Sequence, residues 1–355
     1  MAVAGAGAFG RNHLRVYREL ESAGLGVTLV GAVEPDAARA AEAAAKFNLP
    51  VFPTIGELLA ADLKLDAASV AVPTIHHCAV ASELLAGGLD LLIEKPLAAN
   101  LHEADELISQ AEKNDRIIQP GHLERFNPAV LAVEPKLRRP MFFEAHRLSV
   151  FTPRSLDVDV VLDLMIHDLD IVLTFARSPV REVRAVGLPI VSPNVDIANV
   201  RVEFESGCVA NFTASRVSTE TVRKLRFFEP RQYVSVDYAR RDLLVIGIDA
   251  SIPPEIAAAI AAHKLDAAAL AKLAATAAAN GGPAPGMSFK KPEVAPGEPL
   301  RLEIESFLDA VRTRREPRVT ARQGRNALAL ALEIQATMAD HAQRAGLKDF
   351  FKSSL

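Results

Sequence analysis

Gly5-Ala6-Gly7-Ala8-Phe9-Gly10 is the most informative segment of this 355-residue chain. It follows an apolar segment, Met1 to Ala4, and precedes a helical stretch that begins near Arg11. In that context the first glycine permits a tight turn, the second lets the backbone approach a pyrophosphate, and the third allows close packing of helix on strand. The amides that open the helix would bind the anion. The segment therefore predicts a dinucleotide-binding turn.

Glu34 follows the second predicted strand, Gly26 to Val33, where an acidic residue about 20 positions after the turn normally holds the adenosine ribose hydroxyls. No adjacent arginine could receive a 2′-phosphate, since Arg39 is one helical turn further on, so the sequence favours NAD over NADP. A glycine-rich loop in an Ala/Gly-biased chain would explain the glycines, but not the strand, the helix and Glu34 together. The first strand begins at Met1 itself, which leaves open a natural start a few residues earlier.

Composition indicates a cytoplasmic protein that binds a small molecule. Half of the residues are hydrophobic, and 40 basic and 44 acidic side chains are dispersed along the chain, which argues against a nucleic-acid surface. Cys78 and Cys208 are too few and too far apart for a disulfide framework or a structural metal site. The apolar start lacks a basic region, and no stretch reaches the roughly 18 apolar residues of a membrane span. We expect neither export nor a membrane anchor.

Residues 1–120 alternate short apolar runs with amphipathic helices, which predicts an NAD-binding Rossmann domain with a doubly wound parallel sheet. Besides the two strands already named, the predicted elements are strands Ala68 to Val72, Leu89 to Ile93 and Arg116 to Gln119, and helices Asp36 to Phe47 and His77 to Gly87.

Residues 121–355 have a different pattern, which predicts an α/β domain for substrate binding and oligomerisation. A long helix near 159–177 precedes alternating segments typical of a large, open, mostly antiparallel sheet. Such sheets commonly bury their second face on another subunit, so we expect a homo-oligomer. The predicted strands are Asn199 to Glu205, Cys208 to Ser215, Leu225 to Phe228, Tyr233 to Tyr238 and Leu243 to Ile246. An Ala/Pro-rich insertion at 250–299 precedes closing helices within 300–345, at Leu302 to Arg312 and Gln323 to Gln343.

Pro73-Thr74 and Glu94-Lys95-Pro96 each follow the carboxyl end of a predicted strand, where doubly wound sheets bind ligands. Both should therefore border the nicotinamide half of the cofactor. A lysine beside the positive nicotinamide ring would have a lowered pKa and could exchange protons with a substrate hydroxyl. The plain alternative is a solvated lysine at a strand end. His76 and His77 fit ordinary helix-start residues, with His77 at the cofactor rim.

The segment from Val158 to Phe175 is apolar except for a few ionisable residues with helical spacing. Asp159, Asp163, His167 and Asp170 fall on one stripe of an α-helix, and Asp168 lies off it. Such a stripe is costly to bury unless its members pair or serve a site, and a histidine beside carboxylates can act as a base. A solvent-facing stripe and a satisfied core histidine remain alternatives. No third ligand accompanies Asp163 and His167, so we expect no metal.

Gly121-His122-Leu123-Glu124-Arg125-Phe126-Asn127-Pro128 falls at the predicted domain junction, where clefts form, although a plain linker fits equally well. His122, Arg125 and Asn127 are accordingly candidates for substrate binding.

Together, the glycine turn, Glu34, Val72-Pro73-Thr74 with His77, Glu94-Lys95-Pro96 and the Asp163/His167/Asp170 helix resemble the Gfo/Idh/MocA family, over nearly the whole chain apart from the insertion. The resemblance implies hydride transfer between NAD(P) and a sugar or polyol, in dimers or tetramers. It maps the catalytic lysine to Lys95, the catalytic histidine to His167 and the substrate-binding aspartate to Asp163. The full set of cofactor-binding candidates is Gly5, Gly7, Ala8, Phe9, Gly10, Glu34, Pro73, Thr74, His77, Glu94, Lys95 and Pro96.

Within the family, residues 121–128 and 159–169 are similar to members that oxidise carbon 3 of a UDP-N-acetylhexosamine. A nucleotide sugar needs cations for its diphosphate, and the candidates are Arg125, Arg147, Arg154 and Arg216. We hypothesise that His167, held by Asp163, takes the hydroxyl proton while Lys95 steadies the alkoxide. One alternative is a dehydrogenase of a free polyol such as inositol. Another is a non-catalytic NAD-binding regulator, although this chain keeps the residues for proton transfer.

Overall fold

The computed structural model describes residues 1–152, 158–248 and 287–347. Arg154 and residues 250–286 of the predicted insertion lie outside the described residues. Among the described helices, none has the length and apolar character needed to cross a bilayer.

The first domain is a six-stranded parallel sheet. Its strands are β1 (Ala2–Ala4), β2 (Gly31–Val33), β3 (Val51–Phe52), β4 (Ala67–Val70), β5 (Asp90–Glu94) and β6 (Ile118–Gly121). Their order is β3-β2-β1-β4-β5-β6, which confirms the predicted doubly wound fold. The order reverses between β1 and β4, so a cleft opens beyond the carboxyl ends of these strands.

The crossover helices cover both faces of this sheet. They are α1 (Ala8–Ser22), α2 (Ala37–Phe47), α3 (Ile55–Ala60), α4 (His77–Ala86) and α5 (Leu101–Lys113). Asp36 caps α2 through a hydrogen bond from the Arg39 amide to its side chain at 2.8 Å. The predicted second strand is shorter than expected, and β3 was not foreseen because two residues carry no readable alternation.

The second domain contains an eight-stranded sheet. Its strands are β7 (Phe142–Val150), β8 (Val180–Leu188), β9 (Ile197–Phe204), β10 (Val209–Ser218), β11 (Val222–Glu229), β12 (Gln232–Asp237), β13 (Asp242–Ile248) and β14 (Met287–Lys290). Their order is β14-β13-β12-β11-β7-β10-β9-β8, and all neighbours are antiparallel except β7 and β10. The predicted mostly antiparallel sheet is confirmed. The alternation of β7 is disguised, because Arg147 occupies a position on its buried face.

Helices cover one face of this sheet: α6 (Pro128–Val133), α7 (Ile166–Ala176) and α9 (Ala321–Arg344). The predicted long helix near 159–177 is present, but its first part is π-helical over Val161–Met165 before α7 begins. Single-turn π segments inside helices are frequent at functional sites.

Helix α8 (Pro299–Thr313) packs on the first domain, although the sequence prediction grouped it with the second. Its side chains Leu300, Ile304 and Phe307 belong to the same apolar core as Tyr17 of α1. The next helix, α9, contributes Leu328 to the other core of the first domain and further residues to the core of the second. The chain therefore returns to fasten the two domains together.

Candidate active site

The glycine turn has the geometry that a dinucleotide requires. Gly5 has a φ of 93°, and a Cβ there would lie 2.6 Å from the Ala71 carbonyl oxygen. A Cβ at Gly10 would lie 1.9 Å from the Gly5 carbonyl oxygen, so the helix can approach the turn only with glycine at this position. Gly7 caps α1 without any side-chain hydrogen bond, and a Cβ there would meet nothing within 4 Å. The amides of Ala8 and the exposed Phe9 therefore begin a helix whose N-terminus is open to an anion.

Glu34 lies at the floor of a groove of about 510 Å³ beside this turn. Its carboxylate accepts hydrogen bonds from the Ala6 amide at 2.9 Å, the Asp36 amide at 3.1 Å and the Arg39 guanidinium at 2.8 Å. Burial alone would raise the pKa of Glu34, but these donors outweigh it and hold the pKa below its ordinary value. The carboxylate is thus ionised and oriented, as contact with ribose hydroxyls requires.

The expectation that no arginine lies next to Glu34 is wrong, because in the folded protein Arg39 contacts the Glu34 carboxylate and lines the same groove. Glu34 and Arg39 are five positions apart in the sequence, and the first turn of α2 brings their side chains together. The guanidinium is engaged by Glu34, so the arrangement still presents a carboxylate at the ribose position. The other groove residues include Val33, Pro35, Pro53, Ile55, Val72, Pro73 and His76.

The two histidines at the start of α4 lie in different surroundings, and it is His76 rather than His77 that lines the groove. His76 is exposed and lines the groove, whereas His77 is buried. The His77 ring bridges two loops, with Nδ1 2.9 Å from the Pro96 carbonyl oxygen and Nε2 3.0 Å from that of Val72. His77 therefore joins the loops that follow β4 and β5 and does not lie at the cofactor rim. Thr74 begins the short 3-10 turn that precedes α4.

Lys95 reaches from the first domain into the second. Its ammonium donates a hydrogen bond to the Asp163 backbone carbonyl at 2.7 Å, and its Nζ lies 3.8 Å from the Asp163 carboxylate. Burial lowers the pKa of Lys95, and the charges of Asp163 and Glu94 only partly oppose this effect. Glu94, the last residue of β5, is anchored in turn by His13, whose Nε2 lies 2.9 Å from the carboxylate. Lys95 therefore lies where the two domains meet.

His167 is half-buried in the first turn of α7, with its Nδ1 buried and without a hydrogen-bond partner in the described residues. Burial and the nearby positive charges of Lys95 and Arg147 lower its pKa far below the ordinary value. The imidazole is neutral at physiological pH and can accept a proton. The hypothesis that Asp163 holds His167 is wrong in this structure, because Asp163 pairs with Lys95 and no hydrogen bond joins it to the imidazole among the described residues.

A buried ion pair supports the helix behind these residues. The Arg147 guanidinium donates to the two oxygens of Asp168 at 2.7 and 3.0 Å and to Glu124 at 3.0 Å, and it stacks 5.1 Å from the Tyr238 ring centroid. Bidentate pairs of this kind fix orientation as well as charge. Asp168, which the predicted stripe leaves out, thereby fixes the rotation of α7 that presents His167.

Asp170 points the other way, into a buried polar cluster between the domains. Its carboxylate lies 3.9 Å from His122 Nδ1 and 3.5 Å from Arg125, and nearby Glu303 of α8 has no partner for either carboxylate oxygen in the described residues. Gln119 donates to the Glu303 backbone at 3.1 Å. Burial and the charges of Glu94 and Asp170 raise the pKa of Glu303 well above its ordinary value. The surroundings therefore favour the protonated, neutral form of this acid.

The remaining sequence-predicted substrate contacts have internal partners. Arg125 donates to Thr174 at 2.6 Å, Asn127 donates to the Tyr238 carbonyl at 3.1 Å, and Arg216 pairs with Asp196 and the Val158 carbonyl. All three are buried, as is His122. The structure thus assembles Lys95, Asp163 and His167 but places these four side chains beneath the cleft rather than against a ligand in it.

The sequence alone assigned no role to Asp168 and did not single out Glu303, for different reasons. Asp168 carried a signal, since it is an acidic residue within an apolar run beside the candidate histidine. Glu303 carried none, because it meets Asp170 only after α8 returns to the first domain.

Both domains of this chain are similar to known proteins. Residues 1–122 match a family described as an oxidoreductase family with an NAD-binding Rossmann fold, and residues 130–231 match the GFO/IDH/MocA C-terminal domain. The chain is 34% identical to UDP-N-acetylglucosamine 3-dehydrogenase of Acidithiobacillus ferrooxidans, over 96% of this chain and 98% of that protein. A solved structure of that dehydrogenase has a TM-score of 0.81 at 32% identity, covering 99% of this chain and 98% of its own.

An inositol 2-dehydrogenase of Leifsonia xyli is 32% identical, but over 52% of this chain and 55% of that protein. Both domains therefore have relatives, and the glycine turn, the ionised Glu34 and the open end of α1 fit the cofactor that the first family model describes. The chain belongs to the Gfo/Idh/MocA family of NAD-dependent oxidoreductases.

Proposed function

We propose that this dehydrogenase oxidises the hydroxyl at carbon 3 of a UDP-N-acetylhexosamine. The observation that carries the proposal is the junction of Lys95 with Asp163 across the domains, beside the neutral imidazole of His167. The choice of substrate is supported by the relative that matches along 96% of the chain, whereas the inositol dehydrogenase matches along about half.

In this proposal His167 accepts the hydroxyl proton and Lys95 stabilises the developing alkoxide. A neutral imidazole has a free lone pair, and the Nδ1 atom is buried, which leaves Nε2 to face a ligand. A buried ammonium stabilises a negative oxygen more strongly than a solvated one, because little water screens it. NAD, when bound, accepts the hydride from the same carbon. Asp163 limits the mobility of the lysine and offers a carboxylate to a neighbouring hydroxyl.

The second candidate is oxidation of a free polyol, which the inositol 2-dehydrogenase relative favours. The proton-transfer residues would be the same for both substrates. A non-catalytic regulator is less well supported, since such a protein has no use for a lysine held at a domain junction.

We further propose a cytoplasmic homo-oligomer that assembles through the outer face of the second sheet. Three half-buried aromatic residues cross adjacent strands on that face, with ring centroids 5.3 Å apart for Phe142 and Phe228 and 5.1 Å for Phe228 and Tyr233. An apolar surface of this kind is typical of a subunit interface. The cytoplasm suits Cys78 and Cys208, both of which are free thiols.

A substrate panel tests the proposal. Purified protein with NAD is given UDP-N-acetylglucosamine, UDP-glucose, myo-inositol or glucose, and NADH absorbance is followed. We expect the highest kcat/KM with UDP-N-acetylglucosamine. A higher value with myo-inositol would favour the second candidate, and tight NAD binding without turnover of any sugar would favour the regulator.

A further inference from the structure

Arg223 on β11 is exposed, although it lies on the same face of the sheet as buried residues. In the register of the sheet it pairs with Arg147 on β7, while Leu225 pairs with Ala145 and Phe227 with Phe143. Directly paired residues project from the same face, so Arg223 shares the helix-covered face with Arg147. Leu225 and Phe227 on that face are fully buried, whereas Arg223 is exposed. Arg223 therefore lies where this face leaves the apolar core and opens to solvent.

The same register brings Arg223 close to the reacting residues. Arg147, its cross-strand neighbour, is bonded to Asp168, and Asp168 adjoins His167 on α7. Opposed residues on neighbouring strands have Cβ atoms about 5 Å apart. The charge of Arg223 accordingly contributes to the lowered pKa of His167, after burial and the charges of Lys95, Arg147 and His122.

Arg223 differs from its charged neighbours, because none of the described carboxylates pairs with it. Arg147 is neutralised by Asp168 and Glu124, and on the opposite face of the same strand Arg226 pairs with Glu144 at 2.9 Å. Among the described residues, no carboxylate lies within ion-pair distance of the Arg223 guanidinium. An exposed cation left in this way attracts an anionic ligand.

We propose that Arg223 binds the diphosphate of the nucleotide sugar and so selects an anionic substrate over a neutral polyol. This inference rests on the proposed function. A guanidinium matches phosphate oxygens in a two-pronged contact, and its planar group is rigid enough to fix the orientation of the ligand. With the diphosphate on Arg223, the sugar can extend towards Lys95 and His167. A neutral polyol would leave the guanidinium unused.

Direct binding of UDP tests the inference without any dependence on turnover. Calorimetry would measure the Kd of UDP for NAD-saturated protein in the wild type, Arg223→Gln, Arg223→Lys and the control Arg322→Gln. Arg322 is exposed and pairs with Glu112 of α5, so the control removes the same charge outside the cleft. We expect Arg223→Gln to raise the Kd of UDP by about 10- to 100-fold, the range of a charge-assisted hydrogen bond. Arg223→Lys should recover part of the loss, and the control should bind as the wild type does.

Kinetics separate this role from a structural one. For UDP-N-acetylglucosamine, Arg223→Gln should raise KM more than it lowers kcat, and it should flatten the dependence of kcat/KM on salt. The KM for NAD should not change. Wild-type protein that does not bind UDP, an unchanged Kd in Arg223→Gln, or an equal loss of NAD affinity would overturn the inference. If UDP binds through Arg223 but no UDP-sugar is oxidised, the inference stands and the proposed function fails.

Discussion

Lys95 and Asp163 come from different domains, and their contact makes the site depend on the docking of both. The ammonium is bonded to a backbone carbonyl as well as lying near the carboxylate, so its position is set by the π-helical turn of Val161–Met165. On the other side, Arg147 and Asp168 fix the rotation of α7 and hence His167. Lys95 and His167 are thus held by separate contacts rather than by each other.

Replacing Lys95 with Met should remove turnover and leave the cofactor bound. The substitution keeps the length of the side chain but deletes the charge that stabilises the alkoxide, so we expect kcat to fall by about 10²- to 10⁴-fold. Calorimetry with NAD should give a Kd within a small factor of that of the wild type. Loss of NAD binding together with turnover would show that Lys95 holds the cofactor or the fold instead.

Replacing Glu303 with Gln should change how stability depends on pH. The pKa of Glu303 is raised in the folded protein, so its native carboxyl stays protonated while the unfolded one ionises above about pH 4.5. Stability is therefore lost as pH rises towards the native pKa, by up to about 1.4 kcal/mol per pH unit. Glutamine mimics the neutral acid and does not titrate.

The melting temperature of Glu303→Gln minus that of the wild type should therefore grow by a few degrees between about pH 6 and about pH 8. Glu305→Gln, on the same helix but only half-buried and paired with Arg301, should show no such trend. A difference that stays constant with pH would contradict a neutral Glu303.

At the scale of elements, the glycine turn and the π-helical turn are the two features that shape the site. Gly5 and Gly10 are needed for the turn to fold, because a Cβ at either position would collide with a backbone carbonyl oxygen. Gly7 differs, since its surroundings are open in the protein and it serves the approach of the ligand.

This contrast predicts different outcomes for two alanine substitutions. Gly10→Ala forces the helix away from the strand and should cost about 1–3 kcal/mol of stability, visible as a lower melting temperature without NAD. Gly7→Ala should fold normally and instead weaken NAD binding by about tenfold or more. Equal melting temperatures for the two variants would argue against these separate roles.

The features that could be predicted from the sequence are those encoded by neighbouring residues, such as glycine motifs, strand ends and helical spacing. The glycine turn, Glu34, Lys95, Asp163 and His167 could be singled out as candidates from the sequence, because each stands at a strand end or at helical spacing. The π-helical turn could not, since helical periodicity assumes a regular α-helix. The pairing of Arg147 with Asp168 and the proximity of Glu303 to Asp170 each join segments that are distant in the sequence. The alternation of β7 is hidden because Arg147 lies on its buried face.

At the scale of the whole molecule, the two C-terminal helices and the eight-stranded sheet determine how the domains and subunits pack. Helix α9 contributes to the apolar cores of both domains, whereas α8 packs on the first domain and brings Glu303 to the polar cluster with Asp170. The outer face of the sheet carries the aromatic group of Phe142, Phe228 and Tyr233, which we propose to be buried between subunits.

Phe228→Asp should therefore give a smaller assembly in sedimentation experiments. A carboxylate without a partner is costly to bury, by several kcal/mol, so the interface should dissociate at concentrations where the wild type stays associated. Leu25→Asp makes the same change at an exposed position of the first domain and should leave the assembly intact. An unchanged mass for folded Phe228→Asp would place the interface elsewhere.

Hydride transfer from a defined carbon is the most direct test of the account. UDP-N-acetylglucosamine carrying deuterium at carbon 3 would be oxidised with NAD, and the NADH formed would be analysed by mass spectrometry. We predict that the deuterium appears in NADH and that the same label at carbon 4 does not. Unlabelled NADH from the carbon 3 substrate, with turnover proceeding, would contradict the proposed reaction.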